Sequence, residues 1–141
     1  MFSDNELSRF IEAQRDTYST ALAEIKNGQK KTHWMWFIFP QIKGLGITEM
    51  SIKYSIYNFD EAVDYLNHPV LGQRLKEITG ELLKVKGRSA LKIFGSPDNK
   101  KLKSCMTLFS IVSQKDNLFK KVLEHYFMGE EDKRTRELMN T

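Results

Sequence analysis

The sequence predicts an all-α fold: a single domain, residues 1–141, built as an irregular bundle of about six to eight helices. Three observations predict it. Apolar residues recur at three- and four-residue spacing along most of the chain, the period of a helix with one buried face. Helix-start residues precede these runs and glycines follow them. No alternating polar–apolar run is long enough to be a sheet strand. At 141 residues, 40% hydrophobic and 11% aromatic, the chain can bury one sizeable core, and that composition excludes a disordered chain.

Ser3-Asp4-Asn5-Glu6 has capping-box spacing. Leu7, Phe10, Ile11, Tyr18, Ala21, Leu22 and Ile25 then fall on one stripe, which predicts one continuous helix closed by Gly28. Gln14 interrupts that stripe and turns a polar group toward the core or a site. The next run, His33-Trp34-Met35-Trp36-Phe37-Ile38-Phe39-Pro40, is apolar on every face after its first residue. A lone strand cannot satisfy its backbone, and no partner strand exists, so the run is read as a short buried helix ended by Pro40. Gly44 and Gly46 mark a loop over 41–47, and Thr48 or a neighbour opens a short helix to about Tyr57. Asn58-Phe59-Asp60-Glu61 is a second capping box, starting a helix to about Asn67. Pro69 suits the first position of the following helix, which His68 caps and which carries Leu71, Leu75, Ile78, Leu82 and Val85. Ser89 to Phe94 reads as a short turn closed by Gly95. Ser96-Pro97-Asp98 signals a helix start, with Leu102, Met106, Phe109 and Val112 on one face. Leu118 to Phe127 forms the last long helix, and Asp132 caps a terminal one that docks through Leu138 and Met139.

Several function classes drop out. No apolar run approaches the roughly 18 residues that span a bilayer, so no membrane partner is expected. The N-terminal residues show neither a basic nor an apolar leader region, and Cys105 is the only cysteine, which together fit a cytoplasmic location. His33, His68 and His125 are too scattered for a metal site, so no metal is expected. Walker and Gly-x-Ser-x-Gly patterns are missing. Gly44-Leu45-Gly46-Ile47-Thr48-Glu49 starts like a dinucleotide fingerprint, but Glu49 stands where a small residue is required and no strand–helix–strand context follows. Cys105 and His125 read as a buried thiol and an exposed side chain.

Two concentrations of unusual residues remain. The first, residues 33–54, combines His33, Trp34, Trp36, Gln41, Gly44, Gly46, Ser51 and Tyr54, a mix of apolar walls and fixing polar groups that suits a pocket. The plainer reading makes Trp34, Trp36 and Phe39 core, with His33 as a cap and the glycines in a tight turn. The second is charge. The whole chain has a net +4, yet residues 84–103 hold seven basic side chains and one acid, leaving the other 121 residues at −2. This +6 stretch flanks the helix start at Ser96-Pro97-Asp98, where free amides favour an anion, with Lys101, Ser104 and Thr107 as further contacts. The plainer reading is a solvated basic face. Few arginines and almost no interleaved aromatics make nucleic acid the less favoured partner.

The residues of both concentrations resemble a known family. His33-Trp34-Met35-Trp36-Phe37-Ile38-Phe39-Pro40-Gln41, Gly44-Leu45-Gly46, Ser51, Tyr54 and His68-Pro69-Val70-Leu71-Gly72-Gln73-Arg74-Leu75 are similar to the uncharacterised bacterial family called domain of unknown function 1810. Phe94-Gly95, Asp98, Lys101-Leu102 and Ser104-Cys105-Met106-Thr107-Leu108-Phe109 continue the resemblance over nearly the whole chain. It implies a mainly α-helical single domain and brings no established activity. Cys105 stands where a second Ser is usual, which argues against cysteine chemistry. The calpastatin label that some members carry does not transfer, because inhibitors of that type are disordered repeats and this chain has a dense aromatic core without repeats.

The expectation is therefore a pocket for a phosphate-bearing or nucleotide-like small molecule, between the aromatic segment 33–54 and the basic helix start 96–107. Trp34, Trp36, Gly44 and Gly46 form its wall, His33, Gln41 and Tyr54 its polar contacts, and Lys101, Ser104 and Thr107 its anion contacts, with Ser51 and Asp98 as further binding residues. Whether the chain is an enzyme stays open, with His33 the best acid or base and no cofactor indicated. The alternative is a non-enzymatic interaction module using residues 84–103 on nucleic acid or an acidic protein.

Overall fold

Ten helices account for most of the residues that the computed structural model describes, 4–114 and 117–140. They are α1 (Asp4–Gln14), α2 (Tyr18–Lys26), α3 (Met35–Ile38), α4 (Glu49–Lys53) and α5 (Phe59–Asn67). The second half of the chain adds α6 (Leu71–Lys84), α7 (Ala90–Phe94), α8 (Asp98–Val112), α9 (Leu118–Phe127) and α10 (Lys133–Met139). The fold is all-helical, but ten helices correct the expected six to eight. Two local events make the difference. The long N-terminal helix breaks at 15–17, where Arg15 and Thr17 donate three residues back, to the Glu12 and Gln14 carbonyls, before the helix restarts. The two halves then pack on different partners, α1 on α3 and α2 on α6, which one straight rod cannot do. The segment expected as a turn at 89–94 is a true helix, capped by the Ser89 hydroxyl accepting from Lys92 N at 3.1 Å.

Other starts differ in detail. The expected cap Ser3 lies outside the described residues. Pro97, not Ser96, stands at the α8 N-cap, without a side-chain cap bond, and the Ser96–Pro97 peptide is cis. Asn58 and Asp132 cap α5 and α10 as the sequence suggests, and His68 Nδ1 accepts from Val70 N and Leu71 N at the start of α6. The short helix after Thr48 ends at Lys53 because residues 54–57 turn back to form an isolated parallel bridge, Ile42 to Ile56.

α8 runs through the centre. Residues 104–109 are buried one after another, so the helix is covered all round, by α5, α7, α9 and α10. An aromatic chain crosses the core from Phe10 through Tyr65 and Phe109 to Phe119, with ring centroids 5.1, 5.4 and 5.7 Å apart.

Three buried polar groups fix how these elements meet. Glu24 in α2 accepts hydrogen bonds from Lys31 N (2.7 Å), Thr32 N (3.1 Å), Thr32 Oγ1 (2.7 Å) and Trp34 Nε1 (2.9 Å). Burial alone would raise its pKa, but these donors outweigh it and hold the carboxyl at about 2. Arg9 in α1 pairs with the fully buried Glu61 at 2.8 Å and also donates to the Lys53 and Ser55 carbonyls, tying α1 to the end of α4 and the start of α5. Gln14 turns inward, donating to Phe37 O at 2.8 Å and Tyr65 Oη at 3.1 Å, and accepting from Arg74.

Two tests follow from these contacts. Because the folded Glu24 carboxyl titrates below its ordinary value of 4.5, its contribution is present above that pH and is lost as pH falls toward 2. Glu24→Gln should cost about 1–3 kcal/mol at pH 7 in urea unfolding, with the gap to the parent protein closing as pH falls through that window. A Cβ at Gly72 would lie 1.9 Å from the Leu66 carbonyl oxygen, at the tight α5–α6 junction, whereas one at Gly80 would meet nothing within 4 Å. Gly72→Ala should therefore destabilise by about 3 kcal/mol, and Gly80→Ala should stabilise by about 0.5–1 kcal/mol, both read by denaturant midpoint.

Candidate functional site

A surface groove of about 350 Å³ lies between the loop leading into α4 and the first turns of α8. Gln41, Leu45, Gly46, Ile47, Thr48 and Ser51 line one side. Pro97, Lys100, Lys101 and Ser104 line the other. Five residues that the sequence assigned to a site thus meet here: Gln41, Gly46, Ser51, Lys101 and Ser104.

The loop is held by the Ile42–Ile56 bridge, in which Ile56 N donates to Gln41 O and Lys43 N to Ile56 O, each at 2.8 Å. Thr48 caps α4 by accepting from Ser51 N, and the two hydroxyls lie 2.8 Å apart. Gly46 must be glycine: a Cβ there would fall 2.4 Å from Ser51 Oγ and 2.5 Å from Ser51 Cβ. None of the α4 residues is buried, so this wall of the groove is lightly anchored.

On the α8 side, Lys101 Nζ lies 3.5 Å from Asp98 and 5.3 Å from the centre of the half-buried Trp36 ring. Asp98 also pairs with Lys30 at 3.0 Å, and Lys30 lies over Trp34. The carboxylate at the α8 start is thus engaged by two ammonium groups. Asn99 N and Lys100 N already donate to the Gly95 and Pro97 carbonyls, so backbone partners take the amides that would otherwise face an anion. Ser104 Oγ donates to Lys100 O at 3.2 Å. The exposed Lys100 ammonium, the Lys101 ammonium and the Gln41 amide are the groove's donors, and no carboxylate lines it.

The remaining expected site residues lie elsewhere. Trp34 is fully buried, its indole N–H spent on Glu24 and its ring against Phe39 and Phe94. Tyr54 is buried against Phe10 and Phe37. Gly44, with φ +107°, faces Leu138 and lets α10 dock. Thr107 is fully buried, donating to Lys103 O at 2.8 Å and accepting from Asp132 N at 2.9 Å, which ties α8 to the start of α10. His33 is exposed and lines no part of the groove. The sequence reading missed Lys100, Leu45, Ile47, Thr48 and Pro97 as lining residues; Lys100 stood in the basic stretch and Thr48 at a helix start, but no spacing signal joined them across 50 residues of chain.

The +6 stretch is divided by its partners. Lys84, Lys101 and Lys103 pair with Glu81, Asp98 and Glu130, while Lys86, Arg88, Lys92 and Lys100 have no carboxylate partner among the described residues. Cys105 is buried, and burial pushes its thiol well above the usual range. Among the described residues, no three His, Cys, Asp or Glu side chains are grouped to hold a metal ion, and no helix is long and apolar enough to cross a membrane.

The family model described as "Protein of unknown function (DUF1810)" matches residues 4–139, and the chain belongs to that family. The fold is similar to the crystal structure, at 1.38 Å, of the conserved hypothetical protein Rv1873 from Mycobacterium tuberculosis. The two chains share 42% identity, the match covers 99% of each, and the TM-score is 0.96. No curated protein matches the chain.

The burial of Cys105 sets a direct expectation. A thiol reagent such as Ellman's should leave the native protein unmodified over minutes and titrate one thiol in denaturant; rapid labelling of the folded chain would contradict the burial.

Proposed function

We propose that this member of the family binds a small phosphate-bearing or nucleotide-like molecule in the groove between residues 41–51 and 97–104. The observation that carries the reading is the groove's chemistry: two lysines and a glutamine amide line it, and no carboxylate is among the lining residues. Leu45, Ile47 and Pro97 add apolar surface, which suits a ligand with an uncharged portion beside its anion. The volume of about 350 Å³ is near the low end of small-molecule sites. Lys100 supplies the freer charge. Lys101 is shared with Asp98 and Trp36, so it is held in place before any ligand arrives.

The reading is binding, not catalysis. The hydroxyls of Ser51 and Thr48 are bonded to each other, and Ser104 is bonded to its own helix, so none is paired with a base. His33, the best acid or base in the sequence, is not among the lining residues.

A thermal-shift screen of nucleotides and sugar phosphates tests this. A ligand present at 100 times its Kd should stabilise the protein by about 2.7 kcal/mol. The exposed Lys100→Glu change should abolish that gain while leaving the unliganded melting temperature near that of the parent. If no compound in the screen stabilises the parent protein, or if Lys100→Glu responds as the parent does, the groove is not the site.

A further inference from the structure

A second concave region lies at the opposite kind of helix end. Lys26, Asn27 and Gly28 close α2, and Glu81, Lys84, Val85, Lys86 and Arg88 surround the end of α6; together they enclose a cleft of about 300 Å³. Four cationic side chains face one carboxylate. The sequence does not show this grouping, because Lys26 stands 58 residues before Lys84 and outside the basic stretch. Two contacts create it. The Arg88 side chain lies against the Gly28 backbone, where a Cβ would come 3.3 Å from Arg88 Cδ and 3.5 Å from its Nε. Just beyond, Lys30 N donates to Ile93 O at 2.7 Å and holds the two chain segments together.

Cations at helix C-termini commonly do no more than cap carbonyls. Here most of that work is done by other donors. At the end of α2, Asn27 N, Gly28 N and Gln29 N return to the Ala23, Ile25 and Glu24 carbonyls. At the end of α6, the Tyr126 hydroxyl donates to Leu82 O at 2.7 Å, Val85 N returns to Leu82 O, and Lys86 Nζ reaches Leu83 O at 3.4 Å. Lys84 pairs with Glu81 at 3.0 Å. Lys26 and Arg88 are left with no carboxylate and no carbonyl partner among the described residues, one on each side of the cleft. Lys26 and Arg88 are both exposed to solvent, so their charge is open to an incoming anion.

We infer that this cleft is a binding site for a compact anion carrying two or more phosphate groups, with Arg88 and Lys26 as its direct contacts and Lys84 and Lys86 as supporting charge. The ligand is compact because the cleft is small and concave. It carries several phosphates because the cations approach from two elements. The planar Arg88 fork suits phosphate oxygens, and its stem is already fixed against Gly28. A nucleic acid is the weaker fit: the exposed large apolar side chain of the neighbouring α7 is Leu91, and no exposed aromatic borders the cleft to stack on bases.

The test uses inorganic tripolyphosphate as the probe, followed by amide chemical shifts and by calorimetry at fixed salt on the full chain. Saturable shifts should centre on residues 26–28 and 81–88. Lys26→Glu and Arg88→Gln should each weaken binding at least tenfold, with unchanged circular dichroism. Lys100→Glu, in the groove described above, should leave tripolyphosphate affinity within twofold, so failure of one site is read separately from failure of the other. Shifts that spread over every exposed lysine without saturating, or equal losses from Lys92→Glu and Arg88→Gln, would reduce the cleft to diffuse surface charge. Binding of a single-stranded oligonucleotide that outcompetes tripolyphosphate would replace the compact ligand with a polyanion and overturn the assignment.

Discussion

Glu24 is the interaction on which the site side of the molecule depends. A buried carboxylate survives only if its charge is met, and four donors from residues 31, 32 and 34 meet it. That arrangement fixes the turn after α2, seats the Trp34 ring in the core and leaves Lys30 over that ring, within 3.0 Å of Asp98. Asp98 then reaches Lys101, and Lys101 reaches Trp36. The aromatic segment and the basic helix start are therefore joined by a connected series of hydrogen bonds, ion pairs and cation–π contacts. The two concentrations of unusual residues meet chiefly as a structural latch, and the groove opens on its outer side.

Arg9 and Glu61 act in the same way on the other flank. Glu61 is fully buried, so removing Arg9 would strand a carboxylate away from water, and Arg9 also donates to the Lys53 and Ser55 carbonyls of the segment that ends α4 and to the Glu6 carbonyl of its own helix. The bond of Tyr57 N to Glu61 at 2.9 Å extends this anchor to the residues that follow the bridge. α4 itself buries nothing, so the groove wall is a lightly held arm between two firm attachments, the Ile42–Ile56 bridge and the Arg9 cluster. A wall of that kind can adjust to a ligand without disturbing the core.

Charge tells the same story of partition. The net +4 is concentrated in one stretch of sequence, but folding spends three of its lysines on Glu81, Asp98 and Glu130. Of the four cations left without a carboxylate, Lys100 stands beside the groove, Lys86 and Arg88 line the cleft that Lys26 completes, and Lys92 lies on exposed α7, in neither. A linear count of charge finds the surplus and misses its division: Lys84 and Lys101 pair three residues back within their own helices, but Lys103 reaches Glu130 and Lys26 joins Arg88 only through the fold.

Much of the helical framework was legible because it rests on local physics. The capping side chains of Asn58, His68, Asp132 and Thr48, the period of Leu71 to Leu82, and the inability of a lone apolar run at 34–39 to stand as a strand are all properties of neighbouring residues. The break at 15–17 and the helix at 90–94 were not legible, because the first follows from α1 and α2 packing on different helices and the second from a turn too short to show a period. The candidate groove was legible in part. Gln41, Ser51, Lys101 and Ser104 carry polar groups that stand out in any reading and Gly46 stands out as a turn residue, yet Trp34, Tyr54 and Thr107, equally conspicuous, turn inward. By itself the sequence determined the helical class, most helix starts and the surplus of positive charge, since these follow from spacing and side-chain chemistry. Only the tertiary structure decided which polar groups satisfy one another in the core and which stay at the surface, because that depends on contacts across the whole chain.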